Sequence, residues 1–421
     1  MIGEVREFLS LRARRGWDRS RIDELRRVKL RRLIRHAYDN VPYYRRLMDH
    51  ARVRPDEIRG PEDLQNIPVT TKKDLRNAGP DCLAHGAGPL ITLQTSGHSG
   101  IPFEVKMTAA EYRTRRLREF RMLIGLGVRP TDRLVLLGPV RTRPARLHRR
   151  LGFYRMEVIP LTLPEDEQLA RFRSSNPDIL WAYPTILKTA LYNAHCGLSD
   201  LVRPRFLITS GQVMEPVFRE RLRRELPSME IVNIYGSAEV GRIGAECRHR
   251  RGLHLEEDAL IVEFLQDGNR VEPGTEGHVA VTSLDQLTMP FIRYEQGDLC
   301  RLRAHACECC WRTPLIDPPL GRSADMITLP CGGALSPLPL DVALRNELSL
   351  WQYRFIQHRP DHIEAQLCFR ELPSPDKVGE LKRLMENTVG HGIVFDVQLI
   401  PEMRFEGSKF KVFLSNLSPT A

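Results

Sequence analysis

The stretch TSGHSGIP, residues 95–102, places two glycines and three hydroxyl side chains within its first six positions. Extended, strand-like runs precede it at 90–94 and follow it at 103–107. Glycine lets the backbone turn tightly and approach a ligand closely, and hydroxyl and N–H groups suit phosphate oxygens. Taken alone, the stretch is either a polar hairpin turn or a phosphate-binding loop. It is neither a P-loop nor a Rossmann fingerprint, because no lysine follows and the next element is a strand rather than a helix.

Length and composition limit the class of protein. A chain of 421 residues with 42% hydrophobic and 28% charged residues is typical of a globular protein with two or more domains. The net charge is +10, and the first 50 residues hold 14 basic against 7 acidic side chains. Such a basic surface can meet nucleic acid, anionic lipid or an acidic carrier protein. With 7% aromatic residues and no nucleic-acid motif, a solvated helical face is favoured and no nucleic-acid partner is expected.

No targeting segment is visible. Residues 1–17 are charged and lack the apolar core of a signal peptide, and apolar runs such as 134–137 are far too short to cross a bilayer. We therefore expect a cytoplasmic protein without a membrane span. Nine cysteines in such a protein are not expected to form a disulfide framework. Five of them fall between 247 and 310, which favours a metal site.

The hydrophobic pattern predicts an α/β protein. Helical spacing dominates residues 1–60, and strands alternate with helices from 133 to 234, which indicates βαβ units and a parallel sheet. The sequence TAAE at 108–111 is a capping box that should open a helix. Alternating strands follow from 253. We predict a large N-terminal α/β domain with parallel sheets and a small β subdomain over 1–321, and a small α+β C-terminal domain over 322–421.

Three further clusters combine glycines with polar or acidic residues: TSGQ at 209–212, YGSAE at 235–239 and YEQGD at 294–298. Loops at the carboxyl ends of parallel strands gather at one edge of a sheet, where ligands bind. There Tyr235 could stack on a base, Glu239 could hold Mg²⁺, and Asp298 could accept hydrogen bonds from ribose hydroxyls. Each cluster alone is also compatible with a simple turn, so the indication of a nucleotide site comes from the set.

These motifs, together with GRSADMI at 321–327 and SKFK at 408–411, resemble in order and spacing the core motifs of the adenylate-forming enzymes. The resemblance is greatest to the phenylacetate–CoA ligase and coenzyme F-390 synthetase-like branch, and residues 41–76 are similar to the opening segment of that branch. It covers essentially the whole chain. It implies that ATP and a carboxylic acid form an acyl-adenylate and pyrophosphate, and that a thiol, usually that of CoA, then takes the acyl group.

The resemblance also implies roles for individual residues. The phosphates would be held by Thr95, Ser96, Gly97, His98, Ser99 and Gly100. The adenine pocket would be lined by Ser210, Gly211, Gln212, Tyr235, Gly236 and Ser237. Residues 1–321 would be the adenylation domain and 322–421 a mobile lid. Catalytic roles would fall to Lys409, Glu239 and His98, with Mg²⁺ on Glu239, ribose on Asp298, the nucleotide on Arg322 and the hinge at Asp325.

The acyl pocket would lie around residues 181–184 and 236–237. An aromatic side chain there suits a flat acid by stacking, which favours an aromatic or arylacetic substrate. Trp181 and Tyr183 are equally compatible with an ordinary core position.

Two pairs, Cys247 with His254 and Cys307 with Cys309, resemble the structural zinc site of this branch. A Cys₃His set is a closed tetrahedral site, which leaves no position for a catalytic water. Two alternatives remain open. Neighbouring side chains could replace some of these ligands, the candidates being Cys300, Cys310, His249 and His305. Alternatively, the cysteines could be free thiols.

The chain departs from the family pattern at several motif positions. His98 replaces a small polar residue, Ile101 replaces a frequent lysine, and Ser408 replaces a glycine. These changes keep two alternatives open. One is an adenylating ligase that transfers the acyl group to an acyl carrier protein or an amine, and the other is a nucleotide-binding homologue without turnover. A homodimer is compatible with the sequence.

Overall fold

The structure, a computed structural model, describes residues 2–86, 88–94, 103–138, 155–160, 163–309, 311–322, 326–390, 392–401, 403 and 412–417. Its helices are α1 (Ile2–Ala13), α2 (Arg19–Asn40), α3 (Pro42–His50), α4 (Lys72–Ala78), α5 (Ala109–Gly125), α6 (Glu165–Ser175), α7 (Pro184–Asn193), α8 (Pro216–Glu225), α9 (Leu338–Ala343) and α10 (Pro375–Val389).

Its strands are β1 (Leu90–Gln94), β2 (Glu104–Thr108), β3 (Arg133–Leu137), β4 (Arg155–Ile159), β5 (Ile179–Ala182), β6 (Phe206–Ser210), β7 (Glu230–Ser237), β8 (Gly241–Glu246), β9 (Leu253–Leu255), β10 (Leu260–Gln266), β11 (Asn269–Arg270), β12 (Glu276–Ser283), β13 (Tyr294–Arg301), β14 (Leu315–Ile316), β15 (Gly321–Arg322), β16 (Ile327–Thr328), β17 (Ala334–Leu335), β18 (Leu350–Arg359), β19 (His362–Phe369), β20 (Val394–Leu399) and β21 (Phe413–Ser415).

The chain folds into two compact units. The first unit comprises Met1–Val128 and Ile234–Pro319, and the second comprises Arg129–Asn233 and Leu320–Ala421. The chain passes from the second unit to the first within β7. The predicted division into an N-terminal domain over 1–321 and a C-terminal domain over 322–421 stays a prediction. Among the described residues, none of the helices combines the length and the apolar character that a membrane crossing requires.

The N-terminal helices of the first unit form from an amphipathic pattern. Asp18 caps α2 by accepting a hydrogen bond from the N–H of Arg21 at 2.8 Å. The buried face of α2 recurs at helical spacing, with Leu30, Leu33, Ile34 and Ala37 each fully buried. This face packs with α3 and with residues of β10 in one apolar cluster.

The strand-rich region predicted after 253 is confirmed as an antiparallel sheet of the first unit. Strands β11, β10, β12 and β13 pair in that order. The pairing of β12 with β13 shifts between His278 and Ala280, so that β13 carries two additional residues between Glu295 and Leu299. Gly297 at φ +77° lies in this bulge. The YEQGD motif was expected in a loop but lies within β13, because its bulge keeps the strand paired.

Two short-range predictions in the first unit are confirmed. Strands β1 and β2, which flank residues 95–102, pair as an antiparallel hairpin. The hydroxyl of Thr108 accepts from the N–H of Glu111 at 3.3 Å, and the Glu111 carboxylate accepts from the N–H of Thr108 at 2.7 Å. This reciprocal pair is the capping box that opens α5.

The alternation predicted from 133 onward is confirmed in the second unit. Strands β4, β3, β5 and β6 pair in parallel in that order, and α6, α7 and α8 connect successive strands along the chain. Because parallel strands are buried on both faces, their sequences are nearly continuous apolar runs, as in Phe206–Ser210.

The C-terminal segment of the second unit forms a sheet in the order β20, β19, β18, β21 with its own apolar core. Val217 of α8 belongs to this core. Trp351 at the start of β18 is 2% exposed, and the guanidinium carbons of Arg221 and Arg370 lie 4.3 and 4.1 Å from its ring centroid. Residues 320–421 therefore pack against the βαβ region by both apolar and cation–π contacts.

A buried charge cluster lies in the same unit. Lys188 of α7 donates to the carboxylate of Glu215 at 2.5 Å, with side chains 3% and 9% exposed. Asp341 of α9 is 8% exposed. Burial first, and then the charge of Glu215, raise the pKa of Asp341 to about 8. The cluster thus holds two carboxyl groups beside one lysine, and the carboxyl group of Asp341 is protonated at neutral pH.

Candidate active site

Glu239 lies in the turn between β7 and β8 and is 5% exposed. One of its carboxylate oxygens is 3.0 Å from Nζ of Lys72, and the hydroxyl of Tyr294 donates to the same oxygen at 3.2 Å. Burial alone would raise the pKa of Glu239, but the charge of Lys72 and the hydrogen bonds from Lys72 and Tyr294 outweigh burial and lower it. The side chain is therefore a buried carboxylate that stays ionised.

Local packing fixes this turn. The guanidinium group of Arg115 donates to the carbonyl oxygens of Ser237 and Ala238, both at 2.9 Å. The hydroxyl of Ser237 accepts from the N–H of Val240 at 3.3 Å. A Cβ atom on Gly236 would lie 2.5 Å from the carbonyl oxygen of Gly241. The glycine of the motif is therefore required by close backbone approach, in addition to any ligand contact.

The sequence predicted that β7 ends before the YGSAE motif. The structure instead extends β7 to Ser237, because β8 pairs with it in antiparallel fashion through Gly236 with Arg242 and Ser237 with Gly241. A glycine in such a motif is typical of a turn, whereas Gly236 lies at an irregularity of the β7–β8 pairing, between Tyr235 and Gly236.

Tyr235 and Asp298 were predicted to contact the same nucleotide, and the structure brings them together. The hydroxyl of Tyr235, which is 8% exposed, donates to the Asp298 carboxylate at 2.8 Å. The two residues are separated by 63 positions in the chain. The bulge of β13 contains Asp298, so the two additional residues place this carboxylate beside β7.

Lys72 is a site residue that the sequence analysis missed. A capping box of Thr71 and Asp74 opens α4 directly at Lys72. The preceding residue, Thr70, bridges to β13 by accepting from the N–H of Glu295 at 2.9 Å and donating to the carbonyl of Arg293 at 3.0 Å. This bridge explains why Lys72 reaches Glu239. The signal in the sequence was the TTKKD segment at 70–74, which combines a helix start with two lysines.

The second unit contains the TSGQ cluster and the segment predicted to line the acyl pocket, and it brings them together. The indole N–H of Trp181 donates to the hydroxyl of Ser210 at 2.9 Å. Gly211 has φ +77°, and a Cβ atom there would lie 2.9 Å from the ring of Tyr183. The side-chain oxygen of Gln212 accepts from the N–H of Thr185 at 3.2 Å. Polar groups at the end of β6 therefore meet the aromatic residues at the end of β5.

The four predicted zinc ligands also lie together. The ligand atoms of Cys247, His254, Cys307 and Cys309 are all within 4.8 Å of one another. Sγ of Cys247 is 3.7 Å from Sγ of Cys307, and Sγ of Cys309 is 3.2 Å from Nε2 of His254. Zn–S bonds of about 2.3 Å in a tetrahedron give S–S edges of about 3.8 Å, so these spacings fit a zinc ion.

The other ring nitrogen of the histidine has a partner as well. Nδ1 of His254 lies 3.2 Å from the hydroxyl of Thr313, which is the outer contact that usually orients a ligating imidazole. Of the alternative ligands, Cys300 is fully buried in β13, and it does not belong to the group of four.

Several predicted site residues lie outside the described residues: Thr95, Ser96, Gly97, His98, Ser99, Gly100, Asp325 and Lys409. The backbone of Arg322 lies in β15, but its side chain is not among the described parts of the chain. Their assigned roles stay predictions.

Comparison with known proteins places the chain in a family. No family model matches it. It is 31% identical to a phenylacetate–coenzyme A ligase of Thermus thermophilus over 327 residues, which covers 74% of this chain and 72% of the relative. It is 28% identical to a phenylacetate–coenzyme A ligase of Pseudomonas putida over 425 residues, which covers 94% and 95%.

A solved structure shares the fold. The 2-hydroxyisobutyryl-CoA ligase in its postadenylation state superposes with a TM-score of 0.82 at 19% identity, covering 97% of this chain and 92% of that one. The α/β fold, the order of the motifs and the extent of the curated matches agree, and on these grounds the chain belongs to the phenylacetate–CoA ligase family of adenylate-forming enzymes.

Proposed function

We propose that this protein is an AMP-forming acid–thiol ligase. An oxygen of the substrate carboxylate attacks the α-phosphorus of ATP, the bond between the α- and β-phosphates breaks, and pyrophosphate leaves with its electron pair. The thiolate of CoA then attacks the acyl carbon, and AMP leaves. The observation that carries the proposal is Glu239, a buried carboxylate held ionised in the same unit as the Tyr235–Asp298 pair, in a member of this family.

The proposed roles follow from charge and position. Mg²⁺, when bound, would offset charge that grows on the phosphates, and Glu239 is the acidic residue that would hold it. Lys72 would then either compete with Mg²⁺ for Glu239 or bind this carboxylate beside the ion, because its ammonium group contacts one of the carboxylate oxygens. Asp298 would accept from the ribose hydroxyls. Lys409 would stabilise charge during adenylation, and residues 95–100 would hold the phosphates.

The acid is proposed to be aromatic or arylacetic. This rests on Trp181 and Tyr183, which flank the polar end of β6 in the second unit, and on the phenylacetate–CoA ligases among the relatives. Residues 322–421 are proposed to be the mobile lid, with its hinge at Asp325. A homodimer stays a prediction, which sedimentation of the purified protein would check.

Acid-dependent exchange of radiolabelled pyrophosphate into ATP tests the first step. We expect exchange with phenylacetate or benzoate-type acids, and CoA consumption with formation of a thioester. Exchange with no CoA consumption would favour transfer to a carrier protein or an amine instead. Binding of ATP with no exchange for any of a panel of aromatic and aliphatic acids would contradict the enzyme proposal.

We also propose that Cys247, His254, Cys307 and Cys309 hold a structural zinc ion, on the basis of their spacing. Protein purified without chelators should contain about one zinc per chain, and Cys309→Ser should lose the metal and melt at a lower temperature. Cys331→Ser is the matched control, because Cys331 is exposed and should keep the metal. A zinc-free wild-type protein would contradict this proposal.

A further inference from the structure

The second unit contains two apolar cores that share almost no side chains. The first core is formed by residues between Val135 and Ile231, and among the described residues Trp351 is its sole member from the C-terminal segment 320–421. The second core is formed by residues between Ile327 and Phe413, and in the described part of the chain Val217 of α8 is its sole member from outside that segment. A segment with its own core can separate from its neighbour without unfolding.

Direct hydrogen bonds join these two parts of the unit. Nη2 of Arg221 in α8 donates to the carbonyl oxygens of Leu348 and Leu350, both at 2.6 Å. The guanidinium group of Arg370 donates to the carbonyl oxygen of Cys196 at 2.8 Å. In each case the acceptor is a main-chain carbonyl, which can bond to water instead once the two parts separate. The net cost of breaking such a bond is therefore modest.

Trp351 contacts the same two arginines. The guanidinium carbons of Arg221 and Arg370 lie 4.3 and 4.1 Å from its ring centroid, within the range of cation–π contacts. Arg221 therefore holds the C-terminal segment in two ways: it bonds to carbonyls just before Trp351 in the chain, and it contacts the indole ring itself. We call the three residues Arg221, Trp351 and Arg370 the latch.

The latch is not satisfied in the way a permanent core is. Nη1 of Arg221 and Nε1 of Trp351 are buried and have no hydrogen-bond partner within the described chain, whereas buried polar groups are nearly always paired. Burial first, and then the charge of Arg370, lower the pKa of Arg221 to about 10, because two like charges are held close together. Separation of the two parts would hydrate both nitrogens and relieve this repulsion, which favours a contact that opens and closes.

The strand that carries Trp351 is also bonded to the part of the chain that follows Lys409. The N–H of Phe355 in β18 donates to the carbonyl oxygen of Val412 at 2.7 Å. From Phe355 onward, β18 pairs in parallel with β21. Val412 is three positions beyond Lys409 in the sequence. When the latch fixes the start of β18 against α8, it therefore also fixes the strand to which the residues after Lys409 are bonded.

We propose that Arg221 is a positioning residue for adenylation, and that the latch must open before the acyl group passes to the thiol. This rests on the proposed function, in which Lys409 stabilises charge in the first half-reaction and residues 322–421 move between the two half-reactions. The closed latch holds β18, and the strand paired with it, in one position against α8. The open latch leaves the C-terminal segment free to rearrange for the second half-reaction.

The two half-reactions, measured separately in the full-length protein, test the proposal. Arg221→Met removes every donor of the side chain and should slow phenylacetate-dependent pyrophosphate exchange about 10-fold, as expected for loss of a charged hydrogen bond. Transfer from synthetic phenylacetyl-adenylate to CoA should be at least as fast as in the wild type, because the latch no longer has to open. Arg223→Met is the matched control, since this exposed arginine of α8 pairs with Glu220, and it should change neither rate.

Three outcomes would overturn the proposal. Equal losses in both half-reactions would give Arg221 a merely structural role, and wild-type rates in both would give it none. A loss confined to thiol transfer would mean that the closed latch serves the second half-reaction. Arg370→Met changes an exposed residue and should fold normally. It should shift the two rates in the same directions by a few-fold, so it decides the matter if Arg221→Met does not fold.

A structural measurement separates the latch from the proposed function. Hydroxyl-radical oxidation of Trp351, followed by mass spectrometry, reports how often the latch opens whether or not the protein turns over. Oxidation should be faster in Arg221→Met and Arg370→Met than in the wild type and Arg223→Met, with Trp181 as the internal reference. No exchange by the wild type, with faster oxidation in the two variants, would contradict the proposed function and not the latch. Unchanged oxidation in both variants would overturn the latch, even if the wild type exchanges normally.

Discussion

Two buried carboxyl groups, Glu239 of the first unit and Asp341 of the second, have opposite protonation states. Both are less than 9% exposed. The pKa of Glu239 is lowered because Lys72 and Tyr294 contact it directly. The pKa of Asp341 is raised to about 8 because burial adds to the charge of Glu215, while Lys188 already pairs with Glu215.

Burial raises the pKa of both acids, and the difference shows that a directly paired cation decides whether burial prevails. An ionised carboxylate whose cation is a partly exposed lysine can exchange that lysine for a metal or a ligand. A protonated carboxyl group buried beside the Lys188–Glu215 ion pair serves the fold. The same comparison therefore separates a candidate site from a structural cluster within one chain.

The largest effect is expected when the buried cluster of Lys188, Glu215 and Asp341 loses its lysine. Lys188→Met would leave Glu215 buried and unpaired beside Asp341, and should lower the free energy of unfolding by about 3–5 kcal/mol. Urea unfolding followed by circular dichroism measures this. The double variant Lys188→Met/Glu215→Leu should recover most of the loss, and failure to recover would show that the pair is not the cause.

A large effect on activity is expected where the ionised carboxylate loses its charge. Glu239→Gln should slow pyrophosphate exchange about 10²- to 10³-fold, the usual cost of removing one preorganised charged group, with little change in melting temperature. Glu276→Gln is the control, because it removes an exposed acid paired with Arg301 in the same unit. Equal losses in both variants would argue against a specific role for Glu239.

The pH dependence of stability tests the protonated carboxyl group. The pKa of Asp341 is about 8 in the folded protein and about 3.9 in the unfolded chain, so between these values the folded state binds the additional proton. Stability from this group is therefore fully present below about pH 4 and is lost as pH rises toward 8, by up to about 1.4 kcal/mol per pH unit.

Asp341→Asn should remove this pH dependence of the free energy of unfolding. The free energy of unfolding of wild type and variant, measured between pH 5 and 8, should diverge in favour of the variant as pH rises. The groups that face Asp341 are Lys188, Glu215 and Tyr353, and all remain in the variant. Parallel curves would mean that Asp341 titrates normally.

The smallest effect is expected at the hydrogen bond between Tyr235 and Asp298. Tyr235→Phe keeps the ring but removes a donor worth about 1 kcal/mol. We expect the KM for ATP to rise about five-fold with kcat nearly unchanged, measured by pyrophosphate exchange. A fall in kcat at constant KM would place Tyr235 in the chemistry rather than in nucleotide positioning.

Local signals in the sequence predicted much of the fold. The capping box at Thr108, the parallel strands and the antiparallel region depend on neighbouring residues, and the structure confirms them. The grouping of the four metal-type ligands was predicted as well. Strand ends at the YGSAE and YEQGD motifs were misplaced, because a glycine required for close approach or a bulge resembles a turn.

The contacts of Lys72 and the state of Asp341 could not be predicted from the sequence. Lys72 meets Glu239 only because Thr70 bridges to β13, and 167 positions separate the two residues in the chain. Asp341 follows a proline and a leucine in a short helix, and nothing local reveals that Glu215 lies nearby. Both depend on long-range packing, which a periodic pattern does not encode.

Trp351 gives the protein an intrinsic optical reporter. Its ring is 2% exposed and contacts Arg221 and Arg370, and Trp181 is the other tryptophan in the second unit. If residues 322–421 swing away between the two half-reactions, the indole of Trp351 will pass into water and its emission will shift to longer wavelength. Stopped-flow fluorescence of a Trp181→Phe variant could therefore measure the rate at which residues 322–421 move, without any attached dye.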